Sequence, residues 1–427
     1  MTYENSLEFA RQLDEKDPLR SYRDQFHIPQ KNGQDCIYFT GNSLGLQPKT
    51  TRNYINEELD GWSTLGVEGH FHSNSRPWFH YHKFSKESLA RLVGALPSEV
   101  VSMNNLTSNL HLMMVSFYRP EGKRYKIMME SGAFPSDQYA VESQIKFHGY
   151  PYEDALIEIA PREGEHTLRT EDILQAIEEH SHELALVLFG GVQYFTGQLF
   201  DIRAITTAAN NAGALAGFDL AHAIGNVPLD LHNDEVDFAV WCSYKYLNSG
   251  PGGVSGIFVH EKHGNNDKIP RFAGWWGHNE EERFKMEKGF MPMRGADGWQ
   301  LSNVNVLASA AHLASLEIFD KAGIVTLREK SNQLTGYLQF LLGSLPENRL
   351  EIITPAMAEE RGCQLSLLIH EHGREVFNLL TERGVVADWR EPHIPGKGGI
   401  IRVAPVPLYN TFAEVYRFYE ILKAGLE

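Results

Sequence analysis

Strand-like apolar runs near residues 125, 186, 216 and 240, with helical patterns between them, constrain this chain more than any other feature. Such alternation is the signature of βαβ units and a mostly parallel sheet, because parallel neighbours need a crossover that is usually a helix. Ligands in sheets of this kind sit beyond the carboxyl ends of the strands. The turns at Phe134 and Gly190, and the residues Asp219 and Lys245, all fall at those ends.

In VDFAVWCSYKYLNSGPGG, residues 236–253, an apolar run ends at Lys245, flanked by Tyr244 and Tyr246. Coming off a buried strand, an ammonium loses water, which moves a lysine toward the nucleophilic amine that forms Schiff bases. The Asn, Ser, Gly and Pro residues that follow leave room for a bulky cofactor near the backbone. A lysine snorkelling from a strand end is the plain alternative. GALAGFDLAHAIG, residues 213–225, delivers Asp219 at a strand end and His222 one turn later. An amine for an aldehyde and a carboxylate for a pyridine nitrogen are what pyridoxal phosphate requires, and the protonated ring is an electron sink. As plain structure, Asp219 is a helix N-cap.

The 427 residues are 42% hydrophobic and 22% charged, the profile of an ordinary globular chain with room for two domains. A net charge of -16 argues against nucleic acid or an anionic membrane as partner, so any phosphate must be held locally. Cys36, Cys242 and Cys363 are odd in number and far apart, which fits neither a disulfide framework nor a zinc site and points to a reducing cytosol. The N-terminal twenty residues lack an apolar core, and no run of eighteen apolar residues occurs. The expectation is a cytoplasmic chain, neither secreted nor membrane-spanning.

Residues 1–35 read as a polar amphipathic helix and a connector, and CIYFTGNSLGLQP adds a short strand and a Gly-rich turn around Ser43, whose plain explanation is turn chemistry. GVEGHFHSNSRPWFHYH clusters His70, His72, His80 and His82 without the carboxylate or cysteine spacing of zinc sites. It is read as an ordered loop at a substrate mouth, and no metal is expected. In VSMNNLTSNLHLMMVSFYRP, Leu110, Met113, Met114 and Phe117 recur at helical spacing behind a cap-like Thr107 and Ser108. Free amides at such a start make a phosphate site, although a plain N-cap needs no ligand. Phe134, Pro135, Ser136 and Asp137 open another helix, with Phe134 either stacking on a ring or anchoring the core. FAGWWGH carries Trp275, and the turn at Asn303 leads into a long apolar helix. Residues 320–427 alternate helices with short strands, as in a smaller α+β domain that also receives the N-terminal segment. Arg402 lies near a strand end, where a carboxylate clamp is useful and a surface arginine is equally ordinary.

Taken in order, FTGNSLGLQP, FHSNSRPW, NLTSNLHL, FPSDQYA, GVQYFTGQ, FDLAHAIGN, WCSYKYLN, GWWGH, LSNVN, RGCQL and RVAPVPLYN resemble kynureninase, a family of fold-type I pyridoxal-phosphate enzymes, over almost the whole chain. The resemblance implies an α/β fold. A large domain over 51–304 would hold a mostly parallel seven-stranded sheet, and 1–50 with 305–427 would form a smaller α+β domain. Lys245 would hold the cofactor, with Asp219 on the pyridine nitrogen and His222 near the phenolic oxygen. Leu106 and Thr107 match the phosphate turn, and Phe134 matches the stacking ring. Pro135, Ser136, Asp137 and Gly190 line the cofactor site, although some relatives carry Ser or Thr at that last position. Tyr244 matches a phosphate-binding tyrosine that also helps proton transfer. Trp275 and Asn303 match residues that reach the site from the neighbouring subunit, which implies a homodimer with composite active sites. Ser43, Asn74 and Asn303 would touch the substrate, and Arg402 would hold its α-carboxylate.

The implied activity is that of a hydrolase of carbon–carbon bonds in ketonic substances. It would cleave the Cβ–Cγ bond of L-kynurenine or 3-hydroxy-L-kynurenine to an anthranilate and L-alanine, in tryptophan catabolism and NAD-precursor synthesis. Asn74 stands where animal relatives that favour the 3-hydroxy substrate carry histidine, whereas Asn303 agrees with them. The enzymatic alternative is another fold-type I reaction, such as that of a cysteine desulfurase or an aminotransferase. Desulfurization needs a mobile nucleophilic cysteine, which Cys242, in an apolar strand, does not suggest. A non-catalytic cofactor-binding module would be favoured if Arg402 or the Asn303 loop were missing, and both are present.

Overall fold

The structure is a computed structural model that describes residues 2–72, 76–391 and 398–427. Its largest element is a sheet of seven strands, β1 (Val100–Ser102), β2 (Lys126–Glu130), β3 (Leu156–Ile159), β4 (Leu184–Gly190), β5 (Leu215–Asp219), β6 (Phe238–Cys242) and β7 (Ser255–Val259). Their spatial order is β1-β7-β6-β5-β4-β2-β3. Strands β2 to β6 pair in parallel, and β7 runs antiparallel to both β6 and β1. The connection from β6 to β7 carries no helix, so the chain turns back as an antiparallel neighbour.

Strand residues alternate between two apolar layers, as a period of two requires. Met128, Val187, Phe189, Ala216 and Trp241 enter one core with α5 (Ile202–Ala212) and α6 (Val306–Ala322). Ile127, Met129, Leu186, Leu188 and Val240 enter the other with α3 (Leu106–Phe117) and α4 (Pro135–Phe147). Covered on both faces, these strands can be apolar throughout, which is why LALVLFG and FAVWC read as continuous runs.

A second, antiparallel sheet contains β8 (Leu350–Ile352), β9 (Leu365–Ile369), β10 (Asp388–Arg390) and β11 (Gly399–Val403), in the order β8-β9-β11-β10. Its core draws on α1 (Leu7–Lys16), α7 (Ile324–Leu342), α8 (Gly373–Glu382) and α9 (Phe412–Leu426), so the N-terminal helix packs with the C-terminal elements. Helix α6, by contrast, lies against α2 (Thr51–Leu65) and buries Ala310, Leu316 and Phe319 in the main core. Polar ties join the two parts: Gln364 donates to the Tyr194 carbonyl, and Asn42 donates to Gln364.

Candidate active site

The parallel strands bring their carboxyl ends side by side. Glu130 ends β2, Gly190 ends β4, Asp219 ends β5, and Lys245 follows just beyond Cys242, the end of β6. Register holds this row, since Gly190 pairs with Asp219 and Asp219 with Val240. The first turns of α3 and α4 face the same ends. Between them lies a cleft lined by Leu106, Thr107, Phe134, Ser136, Asp137, Gly190, Asp219, His222, Tyr244 and Lys245. Pro135 is the first residue of α4 and fixes its entry.

Lys245 Nζ lies 3.0 Å from His222 Nε2 and 5.7 Å from the centre of the Phe134 ring. Burial, reinforced by the charge of Lys245, holds the His222 imidazole well below its ordinary value, so it is neutral. With Nε2 engaged by Lys245 Nζ, Nδ1 is left buried and without a hydrogen-bond partner among the described residues. Asp219 accepts the Ala221 amide at 2.7 Å and shares a hydrogen bond with Asp137. Burial raises both carboxyls. The charge of Asp219 raises Asp137 further, whereas Lys245 and the amide restrain Asp219, so of the two Asp137 is displaced more.

At the other end of the cleft, Asn105 caps α3: its side chain accepts the Ser108 amide at 3.3 Å. Thr107 and Ser108, expected as the cap, therefore lie inside the first turn. Asparagine caps at least as well, and its extended backbone starts the helix two residues before the start that a Thr107 cap would give. The Thr107 hydroxyl is thereby released to bond Ser136 Oγ at 2.8 Å. The helix opens onto the cleft with unsatisfied amides and the positive end of its dipole. Burial, then contact with Cys242, pushes the Tyr244 phenol above its ordinary range, so it keeps its proton.

Four expected residues stand outside this cleft. Ser43 is exposed on the Gly-rich turn, although the same turn abuts the site: the Gly45 amide donates to the Tyr244 carbonyl at 2.8 Å. Arg402 is buried behind Tyr194, donating from Nε and Nη2 to Asp388 at 2.6 and 2.5 Å and from Nη1 to the Tyr194 carbonyl at 2.5 Å. Trp275 is 43% exposed and Asn303 is exposed, both on the surface of this subunit. Asn74 lies outside the described residues. Conversely, Glu130 and Tyr194 line the cleft without having been singled out. The only signal for Glu130 was an acid closing a mostly apolar strand. Tyr194 gave none beyond its motif.

Away from the cleft, Glu99, His232 and His260 bring three potential metal-ligand atoms within 4.8 Å of one another. Each is already engaged. Glu99 accepts the amides of Leu96 and Glu261 and bonds His232, while His260 Nδ1 accepts the Lys262 amide.

Residues 327–422 match the model of the kynureninase C-terminal domain. The kynureninase of Flavobacterium psychrophilum is 56% identical over 100% of this chain and 99% of its own length, and that of Myxococcus xanthus is 56% identical over 99% and 97%. The chain belongs to the kynureninase family. Among solved structures it resembles the cysteine desulfurase CsdA of Escherichia coli, with a TM-score of 0.76 at 16% identity, covering 95% of this chain and 98% of that one. A mutant of C-DES with glycine covalently linked to its PLP cofactor gives 0.76 at 17% identity over 94% and 98%. These likenesses establish the fold-type I architecture alone. The cysteines separate this kynureninase-family chain from a desulfurase, because Cys36, Cys242 and Cys363 are all buried and burial raises each thiol, Cys363 to about 12.

Proposed function

We propose that the chain is a pyridoxal-phosphate-dependent kynureninase, hydrolysing L-kynurenine or its 3-hydroxy form to an anthranilate and L-alanine. Full-length identity to kynureninases carries this reading, and the cleft supports it. Its polarity fits the cofactor. The start of α3, with the Thr107 and Ser136 hydroxyls, suits a phosphate. The orphaned nitrogen of His222 suits a ring oxygen, and Asp219 suits a protonated ring nitrogen. When bound, pyridoxal phosphate supplies the electron sink that stabilises negative charge at the substrate Cα.

The remaining work belongs to side chains of this protein. Lys245 would hold the cofactor and, when its amine is free, would move the Cα proton. His222, uncharged, orients the Lys245 amine. Asp219 would hold the protonated ring nitrogen, with Asp137 hydrogen-bonded behind it. Tyr244 holds a proton beside Lys245 for the steps at the substrate ketone. Three of the five N–H donors of Arg402 are engaged, which leaves two for the substrate α-carboxylate.

Trp275 and Asn303 would act across a homodimer. The exposed Phe71, Trp275, Phe284 and Met286 support a partner face. No described helix is long and apolar enough to cross a membrane, and three unpaired cysteines support a cytoplasmic setting. From Asn74 we infer acceptance of both substrates with a shift toward unsubstituted kynurenine. The kcat/KM ratio for the two substrates, before and after Asn74→His, tests this; an unmoved ratio rejects it. Borohydride reduction of the protein with cofactor tests the site itself. The label must appear on the peptide containing Lys245, and a label on another lysine overturns the assignment.

A further inference from the structure

The mechanism leaves one buried acid in the cleft without a task. Glu130 is 4% exposed and forms no ion pair among the described residues; its two carboxyl oxygens accept the Gly190 amide, each at 3.3 Å. A glycine makes this reach possible. Strand β4 lies between β2 and β5, and a Cβ at Gly190 would stand 3.1 Å from Glu130 Oε1. At this position the chain sets a carboxyl against bare backbone.

Glu130 also forms part of the wall between two spaces, the cleft and a cavity of about 260 Å³ whose lining includes Glu165 and His166. On the cleft side it interacts with Asp219 and Asp137, and Lys245, His222, Tyr194 and Tyr244 line the same space. Burying a carboxyl without a cation costs stability, and groups kept at such a cost cluster at functional sites. Burial, with Asp219 adding to it, pushes Glu130 up to about 8.

We propose that Glu130 is a further cofactor-binding residue, a third carboxyl at the ring-nitrogen end that releases its proton when a protonated ring is seated and becomes a counter-charge beside Asp219. The assignment rests on the pyridoxal-phosphate reading above. The O–H bond of the carboxyl breaks, the electron pair stays on the carboxylate, and the proton leaves to solvent through the second cavity. Because binding releases a proton, affinity rises with pH up to the value Glu130 has in the free protein. A glutamine at this position has no proton to release.

The test is the dissociation constant of pyridoxal phosphate for the apoprotein, read from visible absorbance across pH, for the parent and Glu130→Gln. The titration of the ligand is common to both proteins and cancels in the ratio. The variant-to-parent ratio is expected to climb from near one at about pH 6 to about fivefold or more at about pH 9. A ratio that does not change with pH overturns the assignment even when the variant binds more weakly, since a packing defect weakens binding equally at every pH. Uptake by neither protein overturns the function reading and the assignment together. A measurement on the parent needs no variant. With carboxyl-carbon-13 glutamate incorporated, cofactor must remove one protonated-carboxyl infrared band near neutral pH, and a band that persists rejects the proposal.

Discussion

His222 and Lys245 come from different strand ends, yet their nitrogens stand 3.0 Å apart, which gives the lysine an uncharged partner. Lys245→Ala removes one half-buried side chain and leaves no core cavity. The apoprotein should therefore unfold within about 1 kcal/mol of the parent while losing both turnover and the visible band of bound cofactor. Retained absorbance would place the attachment elsewhere. A second residue-scale consequence concerns acid stability. His312 is fully buried in α6 with neither ring nitrogen partnered among the described residues, and burial lowers it to about 3. Its folded value lies below the unfolded one, so the unfolded chain takes up the proton first. Stability is then lost as pH falls from about 6.5 toward 3, by about 2 kcal/mol at about pH 5 from this residue. Denaturant titrations at about pH 7 and pH 5 should show His312→Leu losing less in acid than the parent by that amount; equal losses would contradict this. Lys245 and Asp219 were legible because an ionisable group at the end of an apolar run is conspicuous. Glu130 was not, because its strand, KIMME, carries a charge at both ends and so offers no single conspicuous group.

At the scale of elements, the apolar runs revealed the strands because β4 and β6 are covered on both faces, and the site followed from where parallel strands end. Strand order and the reversal at β7 were not legible, since periodicity carries no information about neighbours. The start of α3 was misread by two residues, because Asn105, Thr107 and Ser108 are all capable caps and only backbone geometry separates them. The correction has a measurable consequence. Asn105→Ala should cost about 1 kcal/mol of stability, with Asn105→Asp close to the parent. If the amides behind that cap hold the cofactor phosphate, Asn105→Ala should also weaken cofactor binding, and an unchanged dissociation constant would remove α3 from the phosphate site.

The surface of the whole molecule carries a cluster of exposed apolar side chains. Trp275, Phe284 and Met286 are exposed together, and Asn303, nominated for substrate contact, lies outside the cleft of its own subunit. The composite dimer proposed above would account for both. Mixing inactive Lys245→Ala with inactive Asn303→Ala subunits should restore about a quarter of parent activity, because half the dimers are hybrids with one intact site of two. Full activity from a monomer would refute the composite site. The identity of the reaction is tested most directly by adding L-kynurenine to the protein carrying pyridoxal phosphate and measuring anthranilate fluorescence together with L-alanine. The expected result is release of both products in equal amounts, abolished in Lys245→Ala. Cofactor bound at Lys245 with no anthranilate from kynurenine or its 3-hydroxy form would contradict kynureninase activity.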